Sequence, residues 1–259
     1  MSDIAPTAGK APEMRVSQNE IYRLCQRTLE GLGAPAGIDR DGAWSVAWLA
    51  ARGLPGLLLL ARDLERLDGS IGPLKVAPLG GRPAIDLAGQ SALAAAGLIL
   101  DYMRAVAAAA TNRRTALLVA RCRAPLFLLP MAVRASEPRG RFRFAWSSAD
   151  GGTLSISVAA GMAAGTGIDG PAVLTDDRPV DVEIIHVADS TDPPESADSP
   201  VTGAIDEAAM TARLAETLAL GIAVDPEIWA RIGAVAARVL VPATAVSRER
   251  GAGGGDANA

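Results

Sequence analysis

Histidine and cysteine, the side chains that most often bind transition metals, are almost missing from this sequence. Its 259 residues include one histidine and two cysteines. Cys25 and Cys122 lie far apart and lack C-x-x-C spacing, which excludes a zinc ribbon and a disulfide scaffold. His186 has no second histidine or cysteine near it, so we expect no metal site and interpret it as a packed strand residue. Two isolated thiols suit the reducing cytoplasm, where we expect the protein to reside.

The sequence also lacks an excess of positive charge and a long uncharged apolar run. Its formal net charge is −4, whereas generic nucleic-acid binding requires a basic balance. The longest nearly apolar run, residues 92–110, contains Asp101 and Arg104 and therefore predicts a buried helix. The first fourteen residues have no apolar core of a secretory signal peptide. We therefore expect neither nucleic acid nor a membrane as a partner.

Aromatic residues and several catalytic motifs are scarce or missing as well. Aromatics make up 3% of the chain and hydrophobic residues 49%, which predicts a large but aliphatic core. There is no G-x-S-x-G nucleophile elbow and no Walker loop. The corresponding hydrolases and nucleotide triphosphatases are therefore not indicated.

What the sequence does contain is a pair of apolar helical runs within Ala43–Asp68, joined at residues 52–56, which we call the joint. Gly53 can end the first run because glycine adopts positive φ at little cost. Pro55 fits the first turn of the next helix, where its missing N–H costs nothing. Enzymes often place a polar side chain at such a joint. After Gly53, the joint and the following turn offer only leucine and proline side chains: Leu54, Pro55, Leu57, Leu58, Leu59 and Leu60.

The order of predicted elements is helices, then mixed strands and helices, then helices. Helices are predicted from the capping box at Ser17–Glu20, from Asp39 or Asp41, and over 57–67, 91–110, 125–135, 205–220 and 226–240. Strands are predicted at 83–87, 115–122, 141–146, 153–159 and 180–187. We expect an α/β fold with a helical layer beside a central mixed sheet. The expected organisation is a flexible tail at 1–14, one globular domain at 15–242 (helical layer 15–67 and 204–242, α/β core 82–188), and a Gly-rich tail at 243–259.

Arginine is concentrated in one stretch. Residues 113–143 contain eight arginines and a single acid, Glu137. Arg121 and Arg123 come at the end of a predicted buried strand, where α/β sheets commonly bind ligands. Their planar donor forks suit a carboxylate or phosphate, so both are candidates for an anion pocket, with Arg52 of the joint as a third. The alternative is a solvated face that forms salt bridges with the acidic helices.

A Gly-x-Gly-x-x-Gly pattern occurs at Gly165, Gly167 and Gly170. It follows a strand, as a dinucleotide-binding fingerprint requires. The segment that follows, residues 171–177, is barely two helical turns long, whereas the fingerprint needs a full helix facing the pyrophosphate. We therefore favour a Gly-rich loop between strands and keep these glycines as a weak candidate for cofactor binding.

Two segments resemble the malate/L-lactate dehydrogenase-like family. The first, from Val16 to Leu67, has a Val-Ser entry, a Gly-Ala-Pro turn at 33–35, the Arg52-Gly53 step, and a helix ending in Glu65-Arg66-Leu67. The second runs from about Arg82 to Trp146. The family also includes ureidoglycolate and sulfolactate dehydrogenases and cyclic imino-acid reductases. The resemblance implies a non-Rossmann dehydrogenase fold, an NAD(P) cofactor and a homodimer. The opening and the Val-Pro-Ala-Thr and Gly-rich ending also resemble an uncharacterised bacterial family.

The departures from this resemblance concern the chemistry. The family places a proton-exchanging histidine after the Arg-Gly step, a position that falls here on Pro55 or Leu57. A family arginine one turn later falls on Leu59 or Ala61, and a second histidine falls near Ala124. General acid–base catalysis needs a titrating group, which leucine, proline and alanine do not provide.

Three hypotheses follow. The first is a pseudoenzyme: a dehydrogenase-like protein without hydride chemistry that binds an anionic small molecule or serves as an accessory subunit, as a homodimer or hetero-oligomer. An exposed leucine run at 53–60 would mark such an interface. The second is an NAD(P)-dependent oxidoreductase acting on a 2-hydroxy, 2-keto or imino acid with a replacement acid, for which Tyr102, Asp86 and Asp101 are candidates. The third is a structural scaffold without a ligand.

Overall fold

The structure, a computed structural model, describes residues 14–79, 82–110, 114–136, 140–147, 152–159, 161–167, 172–187 and 205–240. The α-helices in these ranges are α1 (Gln18–Gly31), α2 (Ile38–Ala51), α3 (Gly56–Leu67), α4 (Ala96–Ala109), α5 (Leu128–Ser136), α6 (Ala172–Thr175), α7 (Glu207–Leu220) and α8 (Pro226–Ala236). The strands are β1 (Met14–Val16), β2 (Lys75–Val76), β3 (Ala84–Asp86), β4 (Arg114–Cys122), β5 (Arg141–Ser147), β6 (Thr153–Ala159), β7 (Met162–Gly167), β8 (Val180–Val187) and β9 (Ile222–Val224).

The central sheet is mixed, as expected. Its strand order is β2-β3-β4-β8-β5-β6-β7, with β3 and β4 parallel and the other neighbours antiparallel. Alternation along β5 buries Phe142, Phe144 and Trp146, while Arg143 on the opposite face is exposed. Helices α4 and α5 contact this sheet. One face of β5 therefore packs into the core while the other meets solvent, which is typical of antiparallel strands.

The helical layer forms from both ends of the described chain. Helix α8 packs against α1 and α3, and α1 packs along α2. Ser17 and Glu20 form the predicted capping box of α1, and the Asp225 carboxylate caps α8 ahead of Pro226. The Thr28 hydroxyl of α1 contacts the carbonyl of Ile232 at 3.2 Å. The predicted α/β class and its helical layer are thus confirmed. None of the helices in the described ranges is long and apolar enough to cross a membrane.

The joint between α2 and α3 brings two backbones very close together. Gly53 has φ of +75°, the left-handed conformation that ends a helix. Pro55 occupies the N-cap position of α3 rather than its first turn. A Cβ atom added to Gly56 would lie 2.7 Å from the carbonyl oxygen of Val46 and 2.9 Å from the Cβ of Leu49. Only glycine at position 56 allows α3 to approach α2 this closely.

Helix α7 is attached to the rest of the protein by few side chains. Only Met210 and Thr217 of its fourteen residues are buried. The Thr217 hydroxyl donates to the carbonyl of Ala51 at 3.0 Å, at the end of α2. The stem of Arg213 lies against Gly53 in the joint. Helix α7 therefore contacts the joint while leaving most of its own surface open.

Four strands depart from the sequence-based expectation, and one of them is the two-residue strand β2, which pairs with β3. Residues 162–167 form the edge strand β7, in which Gly165 pairs with Ile156 and Gly167 with Leu154 of β6. The predicted Gly-rich loop is therefore wrong for Gly165 and Gly167, because β6 offers them a complete pairing partner. Gly170, the acidic stretch 189–203 and both predicted tails, apart from Met14, lie outside the described residues. Strands β1 and β9, which pair antiparallel, were not predicted either.

The tight joint leads to a prediction about stability. Gly56→Ala should lower the free energy of unfolding by about 1–3 kcal/mol, because the added methyl group meets backbone atoms that cannot move alone. Urea denaturation monitored by tryptophan fluorescence measures this change.

Gly233→Ala provides the matched control. Gly233 lies within α8, and a Cβ there would meet no atom within 4 Å. This variant should be more stable than wild type by about 0.5–1 kcal/mol, because alanine favours the helix. Equal effects at the two positions would show that α2 and α3 do not depend on the close contact.

Candidate functional site

The carboxyl ends of β3 and β4 lie side by side. The two strands are parallel, and Asp86 at the end of β3 pairs in register with Ala120 near the end of β4. Parallel strands that end together form an edge at which α/β sheets bind ligands. This arrangement places Arg121 and Arg123 beside the end of β3, as the sequence predicted for the strand end.

The backbone at this edge adopts rare conformations. Among the described residues other than glycine, positive φ values occur at Ala88 (54°), Arg121 (50°) and Ala124 (45°). Ala88 lies two residues after β3, Arg121 is the penultimate residue of β4, and Ala124 lies two residues after β4. Such conformations cost energy for residues with a Cβ and tend to occur at functional sites. The strand ends are therefore the first place to look for a site.

The side chain of Arg121 forms a surface ion pair with Asp86. Its guanidinium Nε donates to the Asp86 carboxylate at 2.9 Å, and a second nitrogen also contacts that carboxylate. Its backbone N–H donates to the Asp181 carboxylate at 2.9 Å. The hydrogen bond from Arg121 lowers the pKa of Asp86, and the same bond raises the pKa of Arg121. Both groups are exposed, so this pair is charged but contributes little stability.

Arg123 points the other way, towards α3. Its Nε donates to the carbonyl of Gly89 at 3.0 Å, and its side chain is only 21% exposed. Its terminal nitrogen lies 3.6 Å from a carboxylate oxygen of Asp177 and also contacts the Asp177 carbonyl. The backbone of Arg123 pairs with Ser91 as an isolated bridge. Arg123 is therefore held firmly and presents its charge to Asp177.

A second arginine converges on the same carboxylate. The two terminal nitrogens of Arg66, on α3, each lie 3.0 Å from one of the two oxygens of Asp177. This two-pronged geometry is the strongest way in which arginine binds a carboxylate. Asp177 is thus bound by Arg66 in a fork and by Arg123, the residue that follows β4.

A buried acid lies beneath these arginines. The Asp63 side chain, also on α3, is only 3% exposed, and its Oδ1 lies 3.5 Å from Arg66. Its Oδ2 has no hydrogen-bond partner in the described part of the chain. Burial raises the pKa of Asp63, while a hydrogen bond with Ser91 and the charge of Arg66 act in the opposite direction. We call Asp63, Arg66, Ser91, Arg123 and Asp177 the strand-end cluster.

The sequence-based interpretation missed Asp63, although a signal for it exists. Leu60, Leu64 and Leu67 form an apolar stripe on α3, and all are buried. Asp63 falls on this stripe by the three- and four-residue spacing of a helix face. A charged residue within such a stripe is rarely buried without a reason.

The position onto which the resemblance places a catalytic histidine lies in a largely apolar groove. This joint groove has a volume of about 230 Å³ and is lined by Ala50, Gly53, Leu54, Pro55, Leu57, Leu58, Ile222, Ala223, Val224, Asp225 and Ile228. Asp225 is the one ionisable residue in this lining, and its carboxylate accepts hydrogen bonds from the backbone N–H groups of Glu227 and Ile228. Pro55 and Leu57, onto which the resemblance places the histidine, contribute only hydrocarbon.

The other positions onto which the resemblance places functional residues are inaccessible to a substrate. Leu59, Ala61 and Ala124 are all buried in the core. The leucine run of the joint is not an exposed patch, since Leu59 and Leu60 are buried and Leu57 and Leu58 are half-buried.

The three candidate replacement acids lie away from the joint groove lining. Asp86 is paired with Arg121, Tyr102 packs partly against the core, and Asp101 is exposed on α4. Asp101 lines a separate pocket of about 190 Å³ together with Asp41 and Gly97. A direct role for them in the joint groove would require a change in structure.

Arg52 is separate from the other two candidate arginines. Its guanidinium lies 3.9 Å above the ring of Trp48, which is a cation–π contact. Burial lowers the pKa of Arg52, and the nearby charge of Glu207 acts in the opposite direction. Arg52 therefore faces α7, whereas Arg121 and Arg123 face Asp86 and Asp177. No group of three or more potential metal ligands comes together within the described ranges.

Comparison with solved structures identifies the fold. A dehydrogenase from Sinorhizobium meliloti matches with a TM-score of 0.61 at 16% identity, covering 86% of this chain and 99% of that one. Malate dehydrogenase from Pyrococcus horikoshii OT3 matches with a TM-score of 0.60 at 11% identity, covering 92% and 99%. Sulfolactate dehydrogenase from Methanocaldococcus jannaschii matches with 0.54 at 9% identity, covering 86% and 96%. The malate/lactate dehydrogenase-like fold is thus confirmed; at these identities the likeness extends to the fold alone.

Comparison of the sequence gives a shorter match. Residues 16–96 match a family described as a protein of unknown function (DUF3726). This stretch includes α1–α3 and the joint, and it agrees with the resemblance of the opening to an uncharacterised family. A search of curated proteins finds no match.

The buried acid leads to a prediction about pH. Because burial raises the pKa of Asp63 above its unfolded value, the folded protein binds an additional proton between the two values. Wild type then loses stability as the pH rises through that window. Asp63→Asn removes this loss, so its stability relative to wild type should be greater at pH 7 than at pH 3.5. Urea denaturation at both pH values measures the difference.

Asp68→Asn is the control for this measurement. Asp68 is an exposed acid that pairs with Arg238 at 2.7 Å. Its removal should change stability by no more than about 1 kcal/mol. An advantage of Asp63→Asn that shrinks from pH 3.5 to pH 7 would contradict the assignment of a raised pKa.

Proposed function

We propose that this protein is a pseudoenzyme: it has the dehydrogenase-like fold without hydride chemistry and binds a small anion at the strand-end cluster. The observation that carries this proposal is the joint groove, where Pro55 and Leu57 occupy the position expected for the proton-exchanging histidine. We further propose that it acts in the cytoplasm, which is consistent with the free, buried thiols of Cys25 and Cys122.

The composition of the joint groove supports the loss of catalysis. Hydride transfer between a hydroxy acid and a keto acid needs a group that exchanges a proton at the substrate oxygen. Asp225, the ionisable residue in the groove lining, already accepts two backbone hydrogen bonds as a helix cap. Moving it to serve a substrate would leave the first turn of α8 without its cap.

The charge at the strand ends supports binding of an anion. Arg66 and Arg123 direct their guanidinium groups to one point, now occupied by the Asp177 carboxylate. Arginine forks suit carboxylates and phosphates. Binding of NAD(P) is compatible with this proposal, but turnover is not.

The test combines an activity assay with a binding assay. Wild type should consume NADH and NADPH no faster than buffer when it is given 2-keto acids or cyclic imines. Malonate at about ten times its dissociation constant should raise the melting temperature by about 2–4 °C. Arg66→Ala should abolish this rise.

Arg104→Ala, an exposed arginine on α4, is the matched control and should retain the response to malonate. Substrate-dependent oxidation of NADH or NADPH would overturn the loss of catalysis. An equal response of Arg66→Ala and wild type would overturn the placement of the anion.

A second candidate role, self-association, is favoured by the uncovered surface of α7. Leu218 and Leu220 are 73% and 60% exposed. They border a groove of about 330 Å³ that is also lined by Arg15 and Val16. Exposed leucines beside a groove are typical of protein interfaces. We propose that a second copy of the chain covers this surface.

Light scattering tests this self-association. Wild type should have twice the mass of one chain, and Leu218→Glu should dissociate it, because a carboxylate cannot be buried there without a partner. Leu98→Glu, at an exposed leucine on α4, should remain dimeric. A monomeric wild-type protein would exclude the homodimer.

A further inference from the structure

The Asp177 carboxylate is bound in the manner of a ligand. Arg66 holds both of its oxygens at 3.0 Å, and Arg123 approaches one of them at 3.6 Å. The two arginines come from elements far apart in sequence, α3 and the end of β4. Asp177 belongs to neither element, so the arginine pair forms a receptor that a third segment fills.

The segment that carries Asp177 contacts both α3 and the end of β4. We call residues 172–179, which include α6, the capping segment. Arg62 of α3 donates to the carbonyl of Thr175 at 2.8 Å, and Leu174 is buried. Arg66 on α3 and Arg123, which follows β4, both contact Asp177. The contacts of the Asp177 carboxylate with these two arginines are electrostatic and therefore open to competition from another carboxylate.

The floor beneath the arginines is polar and incompletely satisfied. Asp63 and Ser91 are both almost fully buried there. The Oδ2 atom of Asp63 has no hydrogen-bond partner within the described ranges. A buried polar atom without a partner is costly in a permanently closed structure. We interpret the unpaired Oδ2 of Asp63 as part of a site in which Asp177 can be replaced by a ligand.

We propose that Asp177 fills, from within the chain, a binding site for a small carboxylate formed by Arg66 and Arg123, and that the ligand binds by displacing the capping segment. This inference rests on the proposed function and names its ligand class. A free carboxylate reproduces the planar pair of oxygens that the Arg66 fork already binds. The capping segment then acts as an autoinhibitory contact that weakens binding, because the ligand must first replace Asp177.

Removing the internal competitor is the direct test. Asp177→Asn keeps the size of the side chain but removes its charge. In calorimetric titration with malonate, the variant should bind about tenfold more tightly than wild type, because the arginine pair is no longer occupied. Adding Arg66→Gln to Asp177→Asn should abolish this binding. Equal affinities of Asp177→Asn and wild type for malonate would overturn the inference.

Two further variants test whether tighter malonate binding comes from freeing the arginine pair or from the loss of any arginine–carboxylate pair. Asp68→Asn also breaks an arginine–carboxylate pair, with Arg238, and should bind malonate as wild type does. Arg62→Gln loosens the capping segment while leaving the arginine pair intact, and should tighten binding by about threefold. This second variant keeps the test decisive if Asp177→Asn folds poorly.

Hydrogen exchange gives a readout that a purely structural ion pair would not produce. Adding malonate to wild type should speed amide exchange in residues 174–178, because the ligand displaces them. Binding elsewhere would leave these amides unchanged or protect them, and that result would contradict displacement. Inorganic phosphate is the comparison anion, and tighter binding of phosphate than of malonate by Asp177→Asn would overturn the carboxylate assignment.

The outcomes distinguish this inference from the function on which it rests. If wild type and Asp177→Asn bind malonate equally, the autoinhibitory contact is wrong and anion binding stands. If neither binds malonate or phosphate, the anion-binding part of the proposed function fails with it. Oxidation of NADH or NADPH would contradict the proposed loss of catalysis, but it would not decide whether Asp177 competes with a ligand.

Discussion

The close contact of α3 with α2 at Gly56 is the constraint on which the candidate site depends. With no Cβ at this position, α3 approaches the carbonyl of Val46 and the side chain of Leu49. A helix rises 1.5 Å per residue, so Asp63 and Arg66 lie roughly 10–15 Å further along α3. That distance brings them to the carboxyl ends of β3 and β4. The first turn of α3, at the joint, therefore carries apolar side chains. The second half of the helix carries the charged side chains of Asp63 and Arg66.

Much of the fold could be predicted because its signals are local. The capping box of α1, the proline-led start of α8 and the apolar residues of β6 are each present within a few residues, and the structure has the two helix starts and the strand. The missed strands have no such signal. β2 is two residues long, β1 and β9 are three residues long, and β7 consists mostly of small residues with weak strand preference. They are strands because a partner lies beside them, which only the tertiary structure determines.

The candidate site could be predicted only in part, for a similar reason. The rule that ligands bind at strand ends directed attention to Arg121 and Arg123. The acids that face them, Asp86 and Asp177, are distant in sequence and become neighbours only through the sheet and the chain that follows β7. The positive φ values at Arg121 and Ala124 have no sequence signal, because neither residue type favours that conformation.

The attachment of α7 has a mechanical consequence. This helix buries few side chains, so it belongs to the parts of a protein that open with the least free energy. Yet its Thr217 hydroxyl satisfies the last carbonyl of α2, and Arg213 shields Gly53. When α7 detaches, water reaches the end of α2 and the leucines beyond it. Helix α7 thus shields the leucine-rich first turn of α3 from water through two side chains, Thr217 and Arg213.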